Sequence, residues 1–377
     1  MTRDEKQDGI IAKWLNMGGL GSVIASTGFG KSYLLNKVAK RKLTKFPDAV
    51  IHYIVHSKVM KKQVEAQVDS KVEVFIINSY IKKQRECDLL LVDECDLMAA
   101  TTFSKIFKVS KYKHILCATA SLERKDGKHI LIQKYAPVID NIGFKECLEN
   151  GWICDFEIKN IAVERPLAYE LLDNSFRRDF AYFHDDLDIV FSCMGYPGAK
   201  EFLRQTNLDN TVGEVIGIAK RCRQNMQDRN ELIYECDEKL QMAKQLILDN
   251  PDKKIITFSM SKKFANTLTE MIPGSICIDS DMTDKVRNKL IQEFQEGKHR
   301  VLNSIKIFER GFDAPEVDMG IVCSTTSVDR RAKQVIGRML RYVFGKKAII
   351  YFLYLKETKE KWTLMNAQKD IPNISWI

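Results

Sequence analysis

The chain has 377 residues, 45% hydrophobic and 29% charged, with 59 lysines and arginines against 50 acids and a net charge of +9. That composition sustains ordinary buried cores and excludes disorder as the general state. No apolar run reaches the ~18 residues of a membrane helix, and the charged opening Met1–Asp8 has no apolar core of a signal peptide. The length suits two to three domains at ~150 residues each. Ten cysteines without a Cys-x-x-Cys pair read as reduced, buried thiols of a cytoplasmic protein (the host cytoplasm for a phage-borne gene). A disulfide framework or zinc site is not expected. The basic excess permits a polyanionic partner without requiring one.

Strand and helix alternate from about Ile10 to Ile158. Short continuous apolar runs predict strands at Leu20–Ala25, Val50–Val55, Val72–Ile77, Leu89–Val92 and Ile115–Ala118. Continuous rather than alternating runs suit a parallel sheet covered on both faces. A helix is expected over Ser32–Leu43. The segment 159–248 reads as mainly helical, with a Gly195-Tyr196-Pro197-Gly198 turn inside it. It fits an insertion that grips a substrate or a brace between domains. From 249 the alternation returns. Strands are expected at Ile255–Phe258, Ser275–Ile278, Val301–Asn303, Gly320–Cys323 and Ala348–Leu353, with helices over Lys262–Met271 and Thr283–Glu296. The fold class is therefore α/β: two doubly wound parallel-sheet domains, 1–158 and 249–377, joined by the helical segment.

The first run ends in Ala25-Ser26-Thr27-Gly28-Phe29-Gly30-Lys31-Ser32 and leads into a helix. Glycines let backbone N–H groups approach phosphate oxygens, and the helix N-terminus adds partial positive charge. Thr27, Gly28 and Gly30 would line this cradle, Lys31 would reach the β- and γ-phosphates, and Ser32 would ligate magnesium. The fourth run ends in Asp93-Glu94-Cys95-Asp96. Carboxylates at the end of a buried strand are costly unless paired or on a cation. Asp93 is placed to hold magnesium and Glu94 to activate the water that attacks a γ-phosphate. In the second domain, Gln334-Val335-Ile336-Gly337-Arg338-Met339-Leu340-Arg341 sets two guanidiniums on one helix face, as arginine fingers for a phosphate presented by the other domain. The loop Arg310-Gly311-Phe312-Asp313-Ala314-Pro315 offers Gly311 and Asp313 to a ribose or a coupling residue. His184-Asp185-Asp186-Leu187-Asp188 looks like a metal cluster but sits among helical, aromatic neighbours and reads as a solvated acidic face.

In this order the motifs resemble those of the superfamily 2 helicases and translocases, and the resemblance covers nearly the whole chain. Ala25–Ser32 resembles motif I, Asp93–Asp96 motif II, Thr119-Ala120-Ser121 motif III, Ile255–Ser259 motif IV, Arg310–Pro315 motif V and Gln334–Arg341 motif VI. Leu122–Gly127 and the last two motifs look most like the phage UvsW-type helicases and the XPB and type III restriction group. The resemblance implies two RecA-like domains with ATP and magnesium between them and nucleic acid across both. It implies catalytic roles for Lys31, Asp93, Glu94, Gln334, Arg338 and Arg341, an adenine-reading role for Gln7, and coupling through Thr119 and Ser121. It places the nucleic acid near Ser57, Lys58, Ser79, Tyr80 and Ser259. Arg330 and Arg331 are added from the basic run 330–347, which carries seven cations and no acid.

Three departures qualify the match. Ala25 stands where the common phosphate-loop pattern has glycine, and Leu122 where the related group has proline. Asp96 stands where the UvsW-like group more often has histidine, and aspartate there is also typical of RNA helicases. DNA is the expected partner and RNA the alternative. Other expectations are a monomer, with protein partners in a replication or repair assembly, and no separate N-terminal recognition domain in the 30 residues before Lys31. An ATP-gated clamp, or a motor subunit active only in a complex, remains open.

Overall fold

The computed structural model describes residues 1–122, 127–279, 281–305, 317–324 and 347–377. Within them, the first sheet contains β1 (Leu20–Ala25), β2 (Ile51–Val55), β3 (Val72–Ile76), β4 (Arg85–Asp93), β5 (Ser110–Thr119) and β6 (Val138–Ile142) in the order β3-β2-β4-β5-β1-β6. Every pairing is parallel. The second sheet contains β7 (Asp155–Val163), β8 (Ile255–Ser259), β9 (Ile276–Ile278), β10 (Val301–Ile305), β11 (Met319–Val322), β12 (Lys347–Leu355) and β13 (Ile374–Trp376) in the order β13-β7-β12-β11-β8-β10-β9, also all parallel.

The pleat explains why the strands read as unbroken apolar runs. Tyr53, Leu89 and Leu91 pack on one face against Leu34, Leu35 and Val38 of the helix Lys31–Lys45. Ile54, Leu90 and Val92 pack on the other, with Ile106 and Phe107. Each fully buried large side chain contributes ~1.5–3 kcal/mol, so both faces of a central strand must be apolar.

The ten strands expected from the sequence are present. Three more were not anticipated. β6 borders β1, while β13 and β12 flank β7. β7 begins at Asp155 and belongs to the second sheet, so the crossing from one sheet to the other lies between Ile142 and Asp155. Position 158, expected to end the first domain, falls inside this strand.

The helices of 167–248 divide their packing. The helix Leu167–Tyr182 lies along the helix Val212–Tyr234, where buried Asp173 pairs with Arg229 and Asp179 with Arg221. Phe183, Val190, Phe202 and Val215 form a separate small core. The helix Asp237–Leu248 joins the core of the second sheet through Leu240, Ala243 and Ile247. Lys239, fully buried, donates to both carboxylate oxygens of Glu360 at 2.8 and 2.7 Å and to the Ile233 carbonyl at 3.3 Å. Glu360 also accepts the Leu355 N–H at 2.9 Å. This end of the segment braces the second sheet. Removing one partner of such a pair strands a buried charge. Lys239→Met is therefore expected to lower stability by about 3–5 kcal/mol in chemical denaturation, and adding Glu360→Gln should recover part of the loss.

Candidate active site

The C-terminal ends of parallel strands, where helix N-termini also gather, are the usual ligand edge of an open α/β sheet. β1 ends there at Ala25, and the helix Lys31–Lys45 starts five residues later. The connecting loop turns through two left-handed glycines, Gly28 at φ 97° and Gly30 at φ 93°, a region that other L-residues enter at a cost of ~1–2 kcal/mol. The Ser26 N–H bonds the Ile142 carbonyl of β6 at 2.8 Å, anchoring the loop to the sheet. Lys31 is buried, and its ammonium donates to the Ala25 carbonyl at 3.1 Å. It therefore folds back over the mouth of the loop that it caps.

The acids arrive from β4. The Ser32 hydroxyl donates to Asp93 Oδ2 at 2.8 Å. Asp93, only 4% exposed, also accepts the Glu94 N–H on Oδ1 at 3.0 Å. A nearly buried carboxylate facing a hydroxyl at a phosphate-loop helix is the hard-oxygen donor pair that suits magnesium. Glu94 adopts φ 53°, leaving the strand in a left-handed turn, and Cys95–Ala99 follow as a 3₁₀ helix. A non-glycine residue held there signals a turn the surroundings over-determine. Asp96 faces inward: Thr119 Oγ1 lies 2.9 Å from its Oδ1 and 3.1 Å from the Ser121 carbonyl, and accepts the Ser121 N–H at 3.3 Å. Through these hydrogen bonds, the ends of β4 and β5 form one polar unit.

Gln7 lies on the helix Arg3–Asn16 and is fully buried. Its amide NH₂ faces the Gly30 carbonyl at 3.3 Å and the Phe29 carbonyl at 3.5 Å, while Oε1 has no partner among the described residues. A cavity of about 500 Å³ lined by Met1, Thr2, Arg3, Glu5, Asn150, Gly151 and Trp152 opens nearby. Arg3 joins it to the loop through a 3.4 Å bond to the Gly28 carbonyl, and Trp152 stacks edge-on against Phe29 at 5.5 Å. Sequence reasoning singled out neither Arg3 nor Trp152, because each stands outside any motif. Cys147 was noted only as a buried thiol. Its Sγ lies 3.1 Å from Ser26 Oγ, and burial pushes that thiol above its ordinary pKa.

The expected nucleic-acid residues divide. Lys58 and Ser79 are exposed, and Ser79 also donates to the Ile76 carbonyl at 2.7 Å. Ser57 caps the helix Lys58–Glu65 by accepting the Met60 N–H at 3.2 Å. Tyr80 is a correction: it is fully buried, its hydroxyl 3.0 Å from His52 Nδ1 and its ring edge-on to Phe75, so it cannot lie against a strand of nucleic acid. Ser259 is a second: it is buried, and its hydroxyl is engaged within its own turn, donating to the Ser261 carbonyl at 3.0 Å and accepting the Ser261 N–H at 3.1 Å. The acidic run near His184 also has a local explanation. Asp186 caps the helix Leu187–Ser192, and no metal-ligating cluster occurs among the described residues. Gly311, Asp313, Arg330, Arg331, Gln334, Arg338 and Arg341 lie outside the described residues. Among the described residues, no helix is long and apolar enough to cross a membrane.

Comparison with known proteins agrees with this geometry. The family model of the helicase conserved C-terminal domain matches residues 238–343, and that of the bacterial DnaA ATPase domain matches residues 22–132. The DNA 3'-5' translocase XPB2 of Sulfurisphaera tokodaii is 24% identical over 283 residues, covering 72% of this chain and 60% of its own length. The chain thus spans well under the full length of that relative. Among solved structures, the Pyrococcus furiosus Hef helicase domain superposes with a TM-score of 0.60 at 14% identity, covering 96% of this chain and 97% of that one. The type ISP restriction-modification enzyme LlaBIII bound to DNA gives 0.63 at 13%, covering 100% and 31%. Saccharomyces cerevisiae Dbp5 bound to RNA and ADP BeF3 gives 0.62 at 13%, covering 98% and 88%. The architecture is that of two RecA-like domains. In fold and in these partial matches the chain is similar to superfamily 2 helicases and translocases, an XPB-type translocase among them.

The loop's dependence on Gly30 can be checked without a ligand. A Cβ there would sit 3.3 Å from Gln7 Nε2 in a left-handed backbone. Gly30→Ala should therefore lower stability by about 1–2 kcal/mol in chemical denaturation. Gly217→Ala, in the helix Val212–Tyr234 with nothing within 4 Å of the added carbon, should raise it by about 0.5–1 kcal/mol.

Proposed function

We propose that this chain is a magnesium- and ATP-dependent motor that moves along or remodels nucleic acid, with DNA as its substrate. The observation that carries the reading is the meeting of Lys31, Ser32 and Asp93 at the ligand edge of the first sheet, where a 2.8 Å bond joins a loop serine to a strand-end acid 61 residues away. Lys31 would leave the Ala25 carbonyl for the β- and γ-phosphates, and the backbone N–H groups at Gly28–Ser32 would cradle them. The Ser32 hydroxyl and Asp93 carboxylate would hold magnesium, directly or through water, and the bound ion would offset the negative charge that builds on the phosphates. The Glu94 carboxylate would orient the attacking water and take its proton. Gln7 Oε1, buried and without a partner among the described residues, would accept from the exocyclic amine of adenine. Arg338 and Arg341, with Gln334, would supply the remaining charge stabilisation from the second domain.

DNA is favoured because the XPB2 relative is named a DNA translocase and the LlaBIII neighbour is bound to DNA. RNA is the second reading. Asp96, bonded into the β5 end by Thr119, is the acid typical of RNA helicases at this place, and the Dbp5 neighbour is bound to RNA. Lys58 and Ser79, exposed beyond β2 and β3, are proposed phosphate contacts that position a strand without reading its sequence.

Lys31→Ala should abolish ATP turnover with an unchanged melting temperature; wild-type turnover would remove the phosphate-cradle assignment. Glu94→Gln should still bind ATP yet hydrolyse it ~10²–10⁴-fold more slowly. ATPase rate measured with single-stranded, duplex and forked DNA and with single-stranded RNA, each at two salt concentrations, tests the substrate. Stimulation by DNA supports the proposal. Stimulation by RNA alone transfers it to RNA, and indifference to all four contradicts the motor reading.

A further inference from the structure

Tyr53 lies in the middle of β2, fully buried, and its hydroxyl has no hydrogen-bond partner among the described residues. A buried unpaired hydroxyl costs ~1–3 kcal/mol, so a phenol kept there where phenylalanine would fit calls for an explanation. The strand geometry shows where the hydroxyl is aimed. Tyr53 is in register with Leu91 of β4. Side chains alternate along a strand, so Leu91 and Asp93 share one face, and register places Tyr53 on it. Tyr53 and Leu91 both pack there against Leu34 and Leu35, on the helix that begins Lys31-Ser32. Asp93 stands two residues beyond Leu91, about 6.6 Å further towards the ligand edge, within reach of a tyrosyl side chain. The electrostatics agree. Burial first, and the Asp93 carboxylate second, hold the phenol well above its ordinary pKa, while a hydrogen-bonding approach to the Ser32 side chain draws it the other way.

We infer that Tyr53 is a positioning residue for the metal-nucleotide site, donating its phenolic proton to Ser32 Oγ when that oxygen ligates the cation. The valences of Ser32 allow it. Its single proton goes to Asp93 Oδ2, one lone pair faces the cation, and the second lone pair is left for a donor. Tyr53 fills that place from below and fixes the serine rotamer that aims the oxygen at the metal. The approach of Tyr53 to Ser32 is already present in the free protein, and the metal-bound state would align it into a full hydrogen bond. No motif named from the sequence contains this residue, which there reads as one more apolar position of a buried strand.

The inference rests on the proposed reading of Ser32 and Asp93 as the magnesium site, and the test separates the two. Binding of Mn²⁺ in the presence of ADP, followed by loss of the free-ion electron paramagnetic resonance signal, would be measured for the wild type, Tyr53→Phe and Asp93→Asn. Melting temperature without metal or nucleotide would be measured alongside. Tyr53→Phe should melt at or above the wild type, because the buried hydroxyl makes no well-aligned hydrogen bond without metal, yet need about tenfold more Mn²⁺ for half-saturation. Asp93→Asn should weaken Mn²⁺ binding more. Unchanged Mn²⁺ binding in Asp93→Asn overturns the site itself. Weakened binding in Asp93→Asn with wild-type binding in Tyr53→Phe overturns the role of Tyr53 alone. A Tyr53→Phe chain that melts well below the wild type without ligand would make the hydroxyl a structural group and overturn the inference as well.

Discussion

One hydrogen bond, from the hydroxyl of Ser32 to the carboxylate of Asp93, depends on most of the first domain and in turn organises the site. It requires a loop that reverses sharply enough to start a helix over the end of β1, which is why Gly28 and Gly30 take left-handed backbone. It also requires that β4 end level with that helix. β4 and β1 are separated by β5 in the sheet, so the parallel register of three strands sets where the acid meets the serine. A one-residue slip of β4 against β5 would turn Asp93 to the opposite face.

Around that bond the polar groups form a continuous edge. Asp93 accepts from Glu94, Asp96 faces Thr119, and Thr119 accepts from Ser121. On the other side Ser26 is tied to β6 and touches Cys147, and Gln7 abuts the loop carbonyls. Buried polar groups at such density are costly unless mutually satisfied. Gln7 Oε1, without a partner among the described residues, and the poorly aligned Tyr53 hydroxyl are accordingly places where a bound group is expected to complete the network.

Much of this was legible in the sequence, for physical reasons that differ by element. The central strands announce themselves because burial on both faces leaves no room for polar residues, as at Leu89–Val92. β6 did not, since only Ile142 of its five residues is buried. β13, three partly exposed residues at the edge of the second sheet, carries too short a pattern to stand out. β7 was split between a domain end and a linker because sheet membership depends on distant partners, here β12 and β13. Lys31, Ser32 and Asp93 stood out in the sequence because a phosphate-loop pattern restricts residue type and order so tightly, and the fold brings Ser32 within 2.8 Å of Asp93. Tyr80 and Ser259 were misassigned because a polar residue near a strand end looks the same whether it faces solvent or closes its own turn. Tyr53 was invisible for the converse reason: a buried aromatic ring hides the one polar atom at its tip.

The most direct test of the central claim is hydrogen–deuterium exchange with and without magnesium and ATP. The account predicts protection concentrated in the peptides spanning Ser26–Leu34 and Asp93–Ala99, with a smaller effect at Thr119–Ser121 and little change in the helices between Leu167 and Tyr234. Unchanged exchange at Ser26–Leu34 under saturating nucleotide, or protection confined to the helical segment, would contradict it.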